Sequence, residues 1–226
     1  MPAGILYVVS TPIGNLKDIT LRALEILEGV DLIAAEDTRH TVVLLKHHEI
    51  SKRMISYHEH NEGRRAPELV DLLEAGNSIA LVCNAGTPTI SDPGYRVIKL
   101  ATERGIPVVS VPGASALLAA LVASGLPTDR FVFEGFLPRR KGRTNRLLSL
   151  ADFQGTVIIY ESPLRVAATL KEILTHFGNR RMAFCRELTK KFETVLSGSV
   201  EEVLAGIGQR APKGECVLII GKEGLA

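Results

Sequence analysis

The chain has 226 residues, of which 46% are hydrophobic and 23% charged. That length and balance suit one large domain or two small ones with real cores, and they exclude disordered, collagenous and coiled-coil chains. The longest uninterrupted apolar stretch, Ala116 to Ala123, is far short of the roughly 18 residues a membrane span needs, and Met1 to Ser10 has no basic segment ahead of its apolar run. The chain is therefore expected to be cytoplasmic, with no membrane partner. Cys83, Cys185 and Cys216 lie far apart and form no CxxC pair, so they read as reduced, mostly buried thiols and not as a disulfide framework or a zinc site.

The formal charge of +2 hides an asymmetry. Residues 1–115 carry 11 Lys and Arg against 14 Asp and Glu, net −3, whereas residues 116–226 carry 16 against 11, net +5. Arg139, Arg140, Lys141, Arg143 and Arg146 fall within eight positions that contain no acid. Such a cluster serves equally as a solvated loop or as the footprint of a polyanion.

In chain order, the first half alternates strand and helix. Short apolar runs at Ile5 to Val9, Leu32 to Ala35, Ile79 to Cys83 and Val108 to Val111 have the character of strands buried on both faces, with a shorter strand at Met54 to Ser56. Helix-period segments lie between them: Thr20 to Leu27, Thr41 to Glu49, Arg64 to Glu74 and Pro93 to Arg104, most of them stopped by glycine. This βαβ series predicts an open, mostly parallel α/β sheet with helices on both faces, occupying residues 1–115. A small-residue helix from Ala114 to Ser124 marks the junction.

Beyond it the expected order is strand Phe131 to Glu134, the basic loop, strand Thr156 to Tyr160, helix Pro163 to Phe177, strands Met182 to Glu187 and Glu193 to Leu196, helix Val200 to Ile207, and strand Cys216 to Ile220. Strands that follow one another without a helix imply antiparallel pairing, so residues 116–226 are expected to form a mixed-sheet α+β domain.

Four loops rich in Gly, Pro, Ser, Thr and Asp follow strands of the first half: Ser10 to Asn15, Glu36 to Arg39, Asn84 to Gly94 and Pro112 to Ser115. In an open α/β sheet that edge is where ligands bind, and four such loops favour a small-molecule cleft. No GxxxxGK[ST] is present, and the first loop lacks the glycines of a dinucleotide fingerprint. Glu36, Asp37 and Arg39 serve equally as a polar ligand-binding cluster or as the cap of the following helix. His47-His48 and His58-Glu59-His60 have no third ligand fixed by spacing, so they read as solvated helix flanks and no metal is expected. In the second half, Tyr160-Glu161-Ser162-Pro163-Leu164-Arg165 and Arg186-Glu187-Leu188-Thr189-Lys190-Lys191 each put a carboxylate and cations where an apolar run stops.

Taken together, these segments carry a resemblance. Thr11 to Thr20, Ala35-Glu36-Asp37-Thr38-Arg39, Ala85-Gly86-Thr87-Pro88 with Ser91-Asp92-Pro93-Gly94, Val111 to Ala116, Phe133 to Pro138, Tyr160-Glu161-Ser162 and Arg186 to Lys190 resemble, in family order, the bacterial ribosomal RNA small subunit methyltransferase I family of the tetrapyrrole methylase (class III methyltransferase) superfamily. The resemblance implies a homodimer of two-domain subunits that uses S-adenosyl-L-methionine, held between the domains, to methylate the ribose 2′-oxygen of a cytidine, position 1402, in the 16S rRNA of the 30S subunit. Carried over by position, it implies donor contacts at Pro12, Ile13, Asn84, Ala85, Gly86, Thr87, Ser115, Ala116, Tyr160, Gly214 and Glu215. Asn84 stands where the family usually has Asp. The family commonly continues past the last strand, so RNA binding by this chain is expected to rest on Arg139, Arg140, Lys141, Arg143 and Arg146 together with the strand-end cations.

For the chemistry, Glu36 or Glu187 is expected to accept the hydroxyl proton, with Arg39, Arg186 and Lys190 positioning phosphate or offsetting negative charge. Two alternatives share parts of this pattern: a tetrapyrrole (precorrin or uroporphyrinogen) C-methyltransferase of the same fold, and a non-catalytic RNA-binding module with a decayed donor pocket.

Overall fold

A computed structural model describes residues 3–208 and 211–224, and its chain contacts divide into two compact units that meet in sequence at Ser115 and Ala116. The first unit is built on five strands, β1 (Leu6–Val9), β2 (Leu32–Ala35), β3 (Met54–Ser56), β4 (Ile79–Val82) and β5 (Val108–Val111), in the order β3-β2-β4-β1-β5. Every pairing is parallel. Side chains alternate across a strand, and two separate cores follow from that. Leu6, Leu32, Ala34, Ile79 and Leu81 pack against helices α3 (Glu62–Glu74) and α4 (Tyr95–Glu103). Val9, Ile33, Ala35, Ala80 and Val82 face α1 (Leu21–Gly29) and α2 (Thr38–His47). The sheet is thus covered on both faces, which is why its strands read as continuous apolar runs.

Caps decide several helix limits. Thr20 accepts from the Ala23 N–H and starts α1 one residue later than the periodicity predicts, whereas Asp37 accepts from the Arg39 N–H and starts α2 three residues earlier. Gly94 has φ +142°, a conformation L side chains rarely adopt, so α4 begins after it and not at Pro93.

The second unit opens with α5 (Ala116–Ala123), which packs on β10. Its sheet contains β6 (Phe131–Phe136), β7 (Thr156–Glu161), β8 (Arg181–Arg186), β9 (Thr194–Ser199) and β10 (Cys216–Ile220), in the order β6-β7-β10-β8-β9. β6 and β7 are parallel and the remaining pairs antiparallel, a mixed sheet. One face is closed by α6 (Arg143–Ala151), α7 (Val166–Phe177) and α8 (Val200–Ile207) through Leu147, Leu150, Leu170, Ile173, Val200 and Val203. α6 is a correction, because the sequence pattern puts these residues in a basic loop. Leu147, Leu150 and Ala151 recur at helical spacing and bury, and that apolar stripe outweighs the local run of cations.

Candidate functional site

In the first unit, the loops after β1, β4 and β5 are tied to one another. Thr11 and Gly86 exchange backbone hydrogen bonds of 2.8 and 3.0 Å, and the Thr11 hydroxyl donates to the Cys83 carbonyl at 3.1 Å. The Ser10 and Thr87 hydroxyls lie 2.9 Å apart, and Thr87 Oγ1 also donates to the Ala114 carbonyl at 3.3 Å. A Cβ on Gly113 would meet the Ser10 side chain at 2.9 Å, so only glycine allows this approach. These bonds bring Pro12, Ile13, Ala85, Gly86, Thr87 and Ser115 onto one edge. Gly86 holds φ +83°, while Asn84 lines the neighbouring cavity and has a buried Oδ1 with no hydrogen-bond partner among the described residues.

That cavity, of about 660 Å³, lies at the ends of β3, β2 and β4 and is lined by Glu36, Asp37, His58, Glu59, His60, Asn84, Ser91, Asp92 and Pro93. Glu36 Oε2 accepts from the Asn84 N–H at 3.0 Å, which fixes the carboxylate; among the described residues its other oxygen makes no hydrogen bond. Asp37 is differently used. It caps α2 and grips the Arg39 guanidinium through two bonds of 3.1 and 2.8 Å, and the arginine holds its carboxyl well below the usual carboxylate range. The capping role therefore falls to Asp37, and Arg39 stays 90% exposed at the rim.

The histidine side of the cavity is a pinned turn. Asn61 Oδ1 accepts from the His58 N–H at 2.9 Å, while its Nδ2 donates to the Ser56 carbonyl at 3.2 Å. The fully buried Tyr57 accepts from the Val97 N–H through its hydroxyl at 3.3 Å. Opposite, the loop between β4 and α4 holds Thr89 at φ +76° and Ser91 at φ +66°. Non-glycine residues in this region are strained and concentrate at functional loops.

The second unit gathers its own polar edge. Cys216 opens β10 and pairs with both Glu161 and Arg186, so Tyr160, Arg186, Gly214 and Glu215 lie around the same strand ends. Lys190 Nζ donates to Glu187 at 3.0 Å and to Glu215 at 2.9 Å, and the Glu215 N–H donates to Glu187 at 3.1 Å. Burial would raise the Glu187 carboxyl, but Lys190 and the Glu215 N–H outweigh it and the net shift is downward. Arg186 is held at 3.0 Å to the Lys213 carbonyl. Gly214 is packed against the Glu187 carboxylate so closely that no Cβ fits. Tyr160 stacks edge-on against Phe133 and Phe136 at 4.8 and 5.7 Å.

The basic segment divides. Arg139, Arg140 and Lys141 are exposed. Arg143 corrects the expectation of an RNA contact: its side chain is 10% exposed, bonded to Glu172 at 2.6 Å and to the Thr169 hydroxyl at 2.7 Å, and 3.8 Å from the fully buried Glu161. Its Nη1 also donates to the Pro138 carbonyl at 3.1 Å. Burying an arginine stem at the first turn of α6 requires its charge to be paired internally, which takes it out of reach of a polyanion. Arg146 is half exposed and paired with Glu134 at 2.5 Å.

The cavity residues His58, Glu59, His60, Ser91 and Asp92 are not among the expected site residues. The available signal is position: His58-Glu59-His60 follows a strand at the same sheet edge as the other loops. All three cysteines are free and buried, and burial pushes Cys185 and Cys216 up to about 11. Among the described residues, no group of three His, Cys, Asp or Glu side chains is arranged to hold a metal ion, and no helix is long and apolar enough to cross a membrane.

Residues 5–204 match the family of Tetrapyrrole (Corrin/Porphyrin) Methylases. The chain is 52% identical to a ribosomal RNA small subunit methyltransferase I of Synechocystis sp. over 219 residues, covering 96% of this chain and 78% of that protein. It is 48% identical to the protein of the same name from Halalkalibacterium halodurans over 222 residues, 98% and 77% of the two chains. In fold it is similar to a uroporphyrin-III C-methyltransferase from Thermus thermophilus complexed with S-adenosyl homocysteine, with a TM-score of 0.66, 21% identity, and coverage of 96% and 97%. The chain belongs to the tetrapyrrole methylases and, within them, to the ribosomal RNA small subunit methyltransferase I family.

Proposed function

We propose that this chain transfers the methyl group of S-adenosyl-L-methionine to the ribose 2′-oxygen of a cytidine, position 1402, in the 16S rRNA of the small ribosomal subunit. The observation that carries this reading is the 52% identity to a small-subunit rRNA methyltransferase over nearly the whole chain. The donor supplies an electrophilic methyl group on a sulfonium. Residues suited to hold it are Pro12, Ile13, Ala85, Gly86, Thr87 and Ser115, with Ala116, Tyr160, Gly214 and Glu215 as the second unit's candidates. The fit is supported by the unpartnered Asn84 Oδ1 beside these loops, which suits a hydroxyl or amine donor.

A ribose hydroxyl is a weak nucleophile, so a positioned proton acceptor is required. Glu36 suits this role better than Glu187. One Glu36 oxygen is fixed by the Asn84 N–H, whereas Glu187 Oε1 takes both the Lys190 ammonium and the Glu215 N–H, and the resulting downward shift of its carboxyl makes Glu187 the poorer base. Lys190 and Arg186 hold that second-unit edge in shape, and Arg39 is the exposed cation beside Glu36. Arg139, Arg140 and Lys141 bind RNA phosphates. The protein works in the cytoplasm as a homodimer, for which exposed Leu118 and Val122, one turn apart on α5, offer apolar surface.

The deciding experiment incubates the purified chain with 30S subunits and labelled donor, then maps the label by nuclease digestion. Label on the 2′-oxygen of one 16S cytidine is expected. Donor binding without any transfer to RNA would overturn the reading.

A further inference from the structure

We propose that the 660 Å³ cavity at the ends of β3, β2 and β4 receives the base of the target nucleotide and selects cytosine over uracil through its acceptor-rich wall. The inference rests on the methyltransferase reading above and adds which part of the chain reads the substrate.

Position comes first. Asn84 follows β4, whose two neighbours are β2 and β1. It therefore stands at the boundary between the loops suited to the donor and this cavity. A nucleotide whose ribose lies at Glu36 has its base within reach of the cavity, because Glu36 both bonds Asn84 and lines the same space.

Charge comes second. Glu36, Glu59 and Asp92 line the cavity together with Asp37, which Arg39 neutralises from the rim, and no Lys or Arg is among the lining residues. Such a wall repels phosphate, so the RNA backbone stays outside and a neutral group enters. Cytosine and uracil have the same size and outline and differ at position 4: cytosine carries an amine that donates, uracil a carbonyl that accepts. A carboxylate accepts from the cytosine amine and opposes the uracil carbonyl. His58 Nδ1 is buried, lacks a hydrogen-bond partner among the described residues, and belongs to a residue lining the same space. Unsatisfied buried polar atoms are rare in folded proteins, and a base edge supplies partners for them.

Rigidity comes third. Discrimination between isosteric bases requires walls that do not relax to suit the wrong one. Here the histidine turn is fixed by Asn61 and Tyr57, and the opposing loop by Gly94, where a Cβ would meet Thr89 and Leu81 side chains at 2.9 and 3.0 Å. A single-stranded, splayed nucleotide is the form in which RNA presents such an edge.

The test is single-turnover methylation of 30S subunits carrying either cytidine or uridine at the target position, with the wild-type chain and the Glu59→Gln and Asp92→Asn variants; donor binding by calorimetry serves as the folding control. An amide keeps an acceptor and adds a donor, so it tolerates either base. Wild type is expected to prefer cytidine by about 100-fold or more, and the variants to narrow that ratio by about tenfold while retaining donor affinity. Active variants with an unchanged ratio overturn the inference and leave the methyltransferase reading intact. Absence of transfer by the wild type to either subunit overturns that reading and this inference with it. If either variant loses donor binding, the double His58→Gln, His60→Gln variant is measured in its place, and an unchanged ratio there is equally fatal.

Discussion

The two units carry similar-looking clusters of carboxylates and arginines at strand ends, yet they use them differently. In the first unit Glu36 is fixed by a backbone N–H through one oxygen and lines a cavity. In the second, Glu161 is completely buried and consumed by Arg165 at 2.6 Å, the Ser162 N–H at 2.7 Å and the Thr169 hydroxyl at 2.7 Å, with Arg143 adjacent. A charged residue at a strand end is available for chemistry only when its neighbours leave it a free valence. Burial decides this, because a buried charge without partners is too costly to persist.

The largest expected effect comes from breaking the saturated cluster. Arg143→Met leaves Glu172 without its cation and Thr169 without its donor, with Glu161 held by Arg165 alone, and is expected to destabilise folding by about 3 kcal/mol, read as a lower urea midpoint. An unchanged midpoint would show that the cluster is not the structural element its burial indicates. Next is Glu36→Gln, expected to slow single-turnover methylation by about 100-fold at unchanged donor affinity; Glu187→Gln should slow it far less. The reverse order would move the proton acceptor to the second unit.

Glu187 also gives a pH dependence. Its carboxyl is depressed in the folded chain, so the stability it contributes is fully present above the ordinary glutamate value of 4.5 and is lost as pH falls through the depressed value. The stability difference between wild type and Glu187→Gln should therefore be constant near neutrality and close in acid. A difference that instead grows on acidification would contradict the ion pairing with Lys190. Replacing Arg139, Arg140 and Lys141 by alanine should leave folding unchanged and make RNA affinity less sensitive to salt, the slope falling by up to about 0.9 for each phosphate no longer neutralised. The smallest effect belongs to Arg39→Ala: the pair with Asp37 is solvent-exposed, and the urea midpoint should stay essentially unchanged.

Much of the fold is legible in the sequence because local patterns and tertiary environment agree. Leu32-Ile33-Ala34-Ala35 reads as a strand buried on both faces, and it is covered on both faces. Arg143 misleads because its neighbours in sequence are exposed cations, and no local pattern shows that a helix turn will press one of them against Glu161, eighteen positions away. His58-Glu59-His60 is uninformative for the related reason that a short polar turn acquires meaning only from what stands opposite it.

Sequence alone determined the alternation of strands and helices, the change of sheet type after residue 115, the placement of polar loops at strand ends, and the family. These follow from periodicity, glycine stops and motif order, all of which are local properties of the chain. Tertiary structure alone decided which charges are spent internally and which remain available. That depends on burial and on partners such as Asn84 for Glu36 and Lys190 for Glu187, and only the folded chain brings those groups within hydrogen-bond distance.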